Sequence, residues 1–167
     1  MLLDSRKIRK GDVFFAVKGV HTDGRAFIEK ACGAGASCVV AEKGDIGPCS
    51  VPVIEIDNLY RALGPIAAAY YGNSTAQMIG IAVTGTNGKT TTANWIADLM
   101  NRLGTPCASI GTLGCTLNGI VLPSVSMTTP DPLTLQAKFA ELLSRGCKAF
   151  AMEASSIGLE QGRLDLS

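Results

Sequence analysis

The stretch MIGIAVTGTNGKTTTANWIADLM, residues 78–100, constrains the fold more than any other part of the chain. Residues 78–83 carry no polar side chain, which suits a strand covered on both faces. A glycine-bearing turn follows, after which Ala93, Ile96, Ala97, Met100 and Leu103 recur at helical spacing. The spacing predicts a helix over 89–103 that stops at Gly104. A buried strand feeding directly into an amphipathic helix is the opening unit of a parallel α/β sheet.

The turn itself, VTGTNGKTTT at 83–92, has the composition of a phosphate cradle. Glycines let backbone N–H groups turn toward phosphate oxygens, and the N-terminus of the following helix adds partial positive charge. In that setting Lys89 neutralises the β and γ phosphates and the Thr90 hydroxyl ligates Mg²⁺. The eight-residue form of the motif would place its first glycine at position 83, which is Val83, so the match is GxxGKT from Gly85. Gly85, Thr86, Asn87, Gly88, Lys89, Thr90 and Thr91 are the expected cofactor-binding residues, with ATP and Mg²⁺ as the expected cofactors. The plainer alternative is a glycine turn carrying a solvated lysine.

A metal beside such a loop needs a carboxylate at the end of a neighbouring strand. CKAFAME at 147–153 reads as that strand, lying beside residues 78–83 in a parallel sheet, and Glu153 stands at its C-terminal end. Glu153 is expected to hold Mg²⁺ with Thr90, directly or through water, and to form the catalytic pair with Lys89. The alternative is a strand-end glutamate facing solvent.

Elsewhere the same alternation continues. GDVFFAVKG at 11–19, SCVVA at 37–41 and VPVIEI at 51–56 read as strands, with AFIEKACGAGA at 26–36 as a helix between the first two. Asp57 or Asn58 is expected to cap a helix through Tyr70 that Gly64-Pro65 kinks or splits. Turn and polar signals over 71–77 mark a boundary, so the predicted domains are 1–74 and 75–167. In the second, a strand at 106–110, a hairpin at Asn118-Gly119 and a helix capped by Asp131 with Pro132 at its first position complete the pattern. The expected fold class is α/β: a small N-terminal α/β domain, then the first part of a doubly wound, mainly parallel-sheet domain with about three core strands.

Composition serves only to exclude. A net charge of +1 supplies no basic field for nucleic acid. No stretch approaches the roughly 20 apolar residues of a membrane span, and MLLDSRKIRKGD lacks the apolar core of a secretion signal. The six cysteines, with no pair at two-residue spacing, suit small buried thiols in a reducing compartment. A cytoplasmic protein with no nucleic-acid or membrane partner is expected.

TGTNGKTT, TTPDP and MEASSIGLEQGRL, in that order, together with LDSRKIRKGDVFFAVKGVHTDGRAFIEKACGAGASCVV near the start, resemble the Mur ligases. Within that family the likeness is to the enzymes that add the third residue to UDP-N-acetylmuramoyl-L-alanyl-D-glutamate, and it extends over essentially the whole chain. The resemblance implies that residues 1–74 bind the UDP end of the substrate and that 75–167 begin the ATP-binding domain. Leu3 and Ser5, with Val20, His21 and Thr22, fall where the family holds the uridine end. Thr128, Thr129, Ser155, Gln161 and Arg163 fall where it grips the sugar, diphosphate and peptide portions. Hydroxyls and an arginine suit such oxygens, although Ser5, Thr128 and Thr129 also serve as turn formers. His21 is expected to touch substrate without transferring a proton. Ile157 departs from the histidine that the family often has after the paired serines.

The chemistry implied by the resemblance is ATP-dependent amide formation in peptidoglycan precursor synthesis. The γ-phosphoryl group passes to the carboxylate of the UDP-linked dipeptide, and the amine of a diamino acid, diaminopimelate or lysine, displaces phosphate from the acyl phosphate. The family chain continues through a carbamylated lysine and a C-terminal domain for the amino acid. These 167 residues alone are therefore expected to be inactive and to self-associate through an open sheet edge, with the full-length protein monomeric. Two other readings stay open: a P-loop nucleotide-binding regulator, and the ligase of the following step, which TTPDP disfavours.

Overall fold

The computed structural model describes residues 1–19, 22–122, 129–160 and 162–164. The chain divides into two compact units, Met1–Leu63 and Gly64–Ser167. The division falls inside helix α2 (Leu59–Tyr70).

The first unit is built on a parallel sheet in the order β1 (Val13–Ala16), β2 (Cys38–Glu42), β3 (Val53–Ile56), with Val13 opposite Cys38 and Val39 opposite Val53. Phe14, Ile28, Ala31, Val39 and Ala41 form its core. Helix α1 covers only Ile28–Gly33. The predicted 26–36 helix is shortened in front by a 3-10 turn over Gly24–Phe27 and behind by the glycines at 33 and 35. At the start of α2 the cap comes from a distance: the Glu42 carboxylate accepts the N–H groups of Asn58 (2.8 Å) and Leu59 (3.0 Å). It thereby meets two orphan donors at the positive end of the helix. Of the two outcomes expected at Gly64-Pro65, splitting does not occur: Pro65 lies within an unbroken α2.

The second unit carries a five-stranded sheet. Its strands in chain order are β4 (Ile79–Val83), β5 (Cys107–Gly111), β6 (Gly114–Leu117), β7 (Ile120–Leu122) and β8 (Ala149–Glu153), arranged as β4-β8-β5-β6-β7. β4, β8 and β5 run parallel, as the sequence predicts for β4 and β8, and the β6–β7 hairpin continues the sheet antiparallel. The hairpin turns at Asn118-Gly119, with φ of 51° and 76°, the mirror-image turn that matches strand twist. Helices α3 (Lys89–Arg102) and α4 (Pro132–Ser144) connect these strands, and Asp131 caps α4 by accepting the Thr134 N–H at 3.0 Å.

β8 accounts for the layering. Its side chains alternate across the sheet. Phe150 and Met152 join Leu135, Phe139 and Leu142 of α4, whereas Ala149 and Ala151 join Ala93 and Ala97 of α3. Continued one step, the alternation puts Glu153 on the α3 side. Leu103, expected on the buried face of α3, is exposed, because the helix ends at Arg102 and Leu103 has left its register. Among the described residues no helix is long and apolar enough to cross a membrane.

Candidate functional site

Beyond β4 the chain passes through Gly88, whose φ of 80° reverses it into the first turn of α3. Other residues resist that backbone. Lys89 and Thr90 then open the helix, where the first N–H groups have no intrahelical acceptor. Gly85, Thr86, Asn87 and Gly88 are exposed, as is Thr91. Lys89 Nζ bends back to donate to the carbonyls of Gly85 (2.7 Å) and Thr86 (3.3 Å). The ammonium is thus held over the loop's own oxygens, partners that a phosphate can replace.

Behind the loop Glu153 is only 2% exposed, so it is not a solvent-facing strand end. Its Oε1 accepts from Thr90 Oγ1 at 2.8 Å and from the Thr112 N–H at 2.9 Å, and its Oε2 from Thr112 Oγ1 at 3.2 Å. Two neighbouring ligands on an octahedral Mg²⁺, each about 2.1 Å from the ion, stand roughly 3 Å apart. The Thr90–Glu153 spacing fits such a pair. No cluster of three or more His, Cys, Asp or Glu that could hold a metal occurs among the described residues. A single carboxylate with a hydroxyl suits Mg²⁺, which keeps water and nucleotide phosphates as its other ligands. A cavity of about 180 Å³ opens beside the pair, with Asn94, Ser109, Leu113 and Thr116 among its walls.

Immediately past Glu153 lies a knot of three expected residues. Thr129, 1% exposed, donates from Oγ1 to the Glu153 carbonyl (3.3 Å), accepts the Ser155 N–H (3.2 Å) and meets Ser155 Oγ (3.0 Å). Arg163 Nη1 donates to the Thr129 carbonyl at 2.8 Å. Ser155 Oγ also accepts the Gly158 N–H, capping the short helix α5 (Ser156–Glu160). Thr129, Ser155 and Arg163 therefore converge. Val20, His21, Thr128 and Gln161 lie outside the described residues.

In the first unit Leu3, Ser5 and Thr22 line a cavity of about 440 Å³ with Asp4, Arg6, Phe27 and Lys30. The last four are absent from the expected site, yet the sequence carries a signal for two of them. DSR at 4–6 and DGR at 23–25 are the same device: an aspartate caps a 3-10 turn and pairs with the arginine two residues on. Arg6 Nε and Nη2 each bond an Asp4 oxygen at 2.9 Å, and these hydrogen bonds hold the Asp4 carboxyl down at about 2. Arg25 does the same for Asp23, also at about 2. Phe27 adds a flat apolar wall and Lys30 a cation, which together suit an aromatic base attached to phosphates.

The cysteines are all unpaired thiols, and burial pushes Cys107 and Cys115 up to about 11, so neither is a nucleophile at neutral pH.

Two family models match the chain, one described as Mur ligase family, catalytic domain, over residues 1–71, the other as Mur ligase middle domain, over residues 83–166. Proteins named UDP-N-acetylmuramoyl-L-alanyl-D-glutamate--2,6-diaminopimelate ligase from Pseudomonas aeruginosa and Coxiella burnetii are each 43% identical to it, over 167 and 165 residues. The matches cover 98% and 97% of this chain and 34% of each relative. The chain thus spans about a third of the length of the curated relatives it matches. A solved structure bearing the same name superposes with a TM-score of 0.84 at 34% identity, over 99% of this chain and 34% of that one. MurF from Acinetobacter baumannii is more distant, with a TM-score of 0.66 at 26% identity over 93% of this chain and 30% of its own. With the loop and the strand-end carboxylate both lying within a matched segment, the chain belongs to the Mur ligase family.

Proposed function

We propose that this chain forms part of an ATP-dependent ligase that joins diaminopimelate to UDP-N-acetylmuramoyl-L-alanyl-D-glutamate in peptidoglycan precursor synthesis. The observation that carries the reading is the 2.8 Å contact between Thr90 and the buried Glu153, 63 residues apart, at the mouth of a phosphate loop. The names of the relatives at 43% identity supply the substrates. The greater distance of MurF weighs against the ligase of the following step. A nucleotide-binding regulator leaves the cavity of the first unit without a purpose.

In this reading residues 1–74 hold the UDP end through Leu3, Ser5, Val20, His21 and Thr22, joined by Phe27 and Lys30. Residues 75–167 hold the nucleotide. Gly85 to Thr91 wrap the phosphates, Lys89 screens their charge, and Thr90 and Glu153 would hold Mg²⁺. The ion when bound neutralises the β and γ oxygens, so that an anionic acceptor can approach. Thr128, Thr129, Ser155, Gln161 and Arg163 align that acceptor. Its carboxylate oxygen attacks the γ-phosphorus as the bond to ADP breaks. The diaminopimelate amine then attacks the acyl carbon, loses a proton and expels phosphate. Positioning supplies most of the acceleration in such a transfer. The full protein is cytoplasmic and monomeric, and the 167 residues alone bind without turning over.

Thermal unfolding with added ligands tests the reading. A saturating ligand at about 100 times its dissociation constant adds about 2.7 kcal/mol of stability. UDP-N-acetylmuramoyl-L-alanyl-D-glutamate and Mg²⁺-ATP should each raise Tm. A response to ATP alone, with none to the UDP-linked dipeptide, would favour the regulator.

A further inference from the structure

We propose that Thr112 is a positioning residue for the metal-binding carboxylate, acting through Glu153 and making no contact with the reactants itself. The inference rests on the reading of Glu153 as a Mg²⁺ ligand. Rotation about the last torsion of a glutamate is soft, so burial alone does not aim the carboxylate. Thr112 grips it at two points, its N–H on Oε1 at 2.9 Å and its hydroxyl on Oε2 at 3.2 Å.

The grip follows from strand register. β5 and β8 are parallel neighbours with Ile110 opposite Met152, so Gly111 and Thr112 leave β5 beside the point where Glu153 ends β8. Gly111 makes the space. A Cβ there would overlap Glu153 Oε1 and stand 2.5 Å from Cδ. The carboxylate occupies the volume that any other side chain at 111 would take.

Among the described residues the carboxylate accepts three hydrogen bonds, and their donors serve different ends. Thr90 donates its hydroxyl proton to Oε1, and its oxygen keeps lone pairs that can turn to the ion. The two Thr112 donors hold Oε1 and Oε2 from the end of β5. Thr90 thus meets the ion as a ligand, and Thr112 orients the carboxylate beside it. Groups that orient a metal ligand in this way contribute about 10- to 100-fold to metal affinity.

Calorimetric titration of the 167-residue chain with ADP, across a series of Mg²⁺ concentrations, tests the assignment. Thr112→Val keeps the shape and the N–H but removes the hydroxyl, and it should raise the Mg²⁺ needed for half-maximal strengthening of ADP binding by about 10-fold or more. Thr112→Ser, which restores the hydroxyl, should return it to within about 3-fold of the parent, since the donor is regained. Should Thr112→Val not fold, Thr112→Ala replaces it in the same comparison. A valine or alanine variant with the parent's Mg²⁺ requirement, or a serine variant as impaired as valine, would overturn the positioning role. A parent chain whose ADP binding ignores Mg²⁺ would instead overturn the reading of Glu153 beneath it.

Discussion

The two units hold negative charge in opposite ways. In the first, Asp4 and Asp23 keep 27% and 36% of their side-chain surface in water, and each is paired with an arginine two residues along. A turn of three or four residues suffices to build that arrangement. In the second, Glu153 is buried, and its donors come from positions 41 and 63 residues away. An exposed pair is screened and contributes little, whereas a buried carboxylate must have donors on every side or it will not stay charged. The difference separates two kinds of site. A carboxylate paired at a surface turn can be encoded locally; one buried among distant donors has to be encoded by the whole sheet.

Gly111→Ala should break the second arrangement with the largest effect. The added methyl overlaps Glu153, so carboxylate or strand must move, and overpacking of this severity costs about 3 kcal/mol. For a chain of this size that lowers Tm by on the order of 10 °C, read by calorimetry. A loss under about 1 kcal/mol, the range of well-tolerated core changes, would show that Glu153 can shift freely, and the contrast between the units would fail. Glu153→Gln sharpens the same contrast with a smaller effect on stability. Its amide oxygen can accept from Thr90 and the Thr112 N–H, and its amide group can donate to Thr112 Oγ1. Denaturant unfolding should therefore show a loss of only about 1 kcal/mol. Mg²⁺ should no longer strengthen ADP binding in this variant. Retained Mg²⁺ dependence would mean that the charge at 153 serves the fold and not the ion.

Much of this architecture is legible in the sequence, and the reason is periodicity. The apolar run before the loop, the helical spacing after it and the alternation of AFAME place β4, α3 and β8, and with them the meeting of Thr90 and Glu153. What is not legible depends on register between strands far apart in the chain. Nothing local marks Gly111 or Thr112, because their importance appears only when β5 lies beside β8. Glu42 capping α2 from 16 residues away is hidden for the same reason. Phe27 and Lys30 reach their cavity through the short turn and helix that replace the longer predicted helix. Asp4 and Arg6 are a different case, since the Asp-x-Arg spacing is visible in the sequence and its twin at 23–25 reinforces it.

The smallest expected effect belongs to that twin device, and its smallness is the point. Hydrogen bonds from Arg6 lower the Asp4 carboxyl from its ordinary 3.8 to about 2. A depressed carboxyl adds stability that is fully present above its unfolded value and disappears as pH falls through its folded value. For Asp4 that window runs from about pH 4 down to about pH 2. Arg6→Gln should move the Asp4 titration, followed by NMR of the side-chain carboxyl from pH 5 downward, part of the way back toward the ordinary carboxyl range, since the backbone N–H of residue 6 still donates to it. The accompanying change in Tm at pH 7 should be near the limit of detection, because Arg6 keeps 78% of its side-chain surface in water and solvent already screens the pair. The titration can therefore move substantially while stability hardly changes. If Arg6→Gln instead unfolds the first unit at neutral pH, the local turn is supporting the fold around it, and the two units no longer differ in how they carry charge.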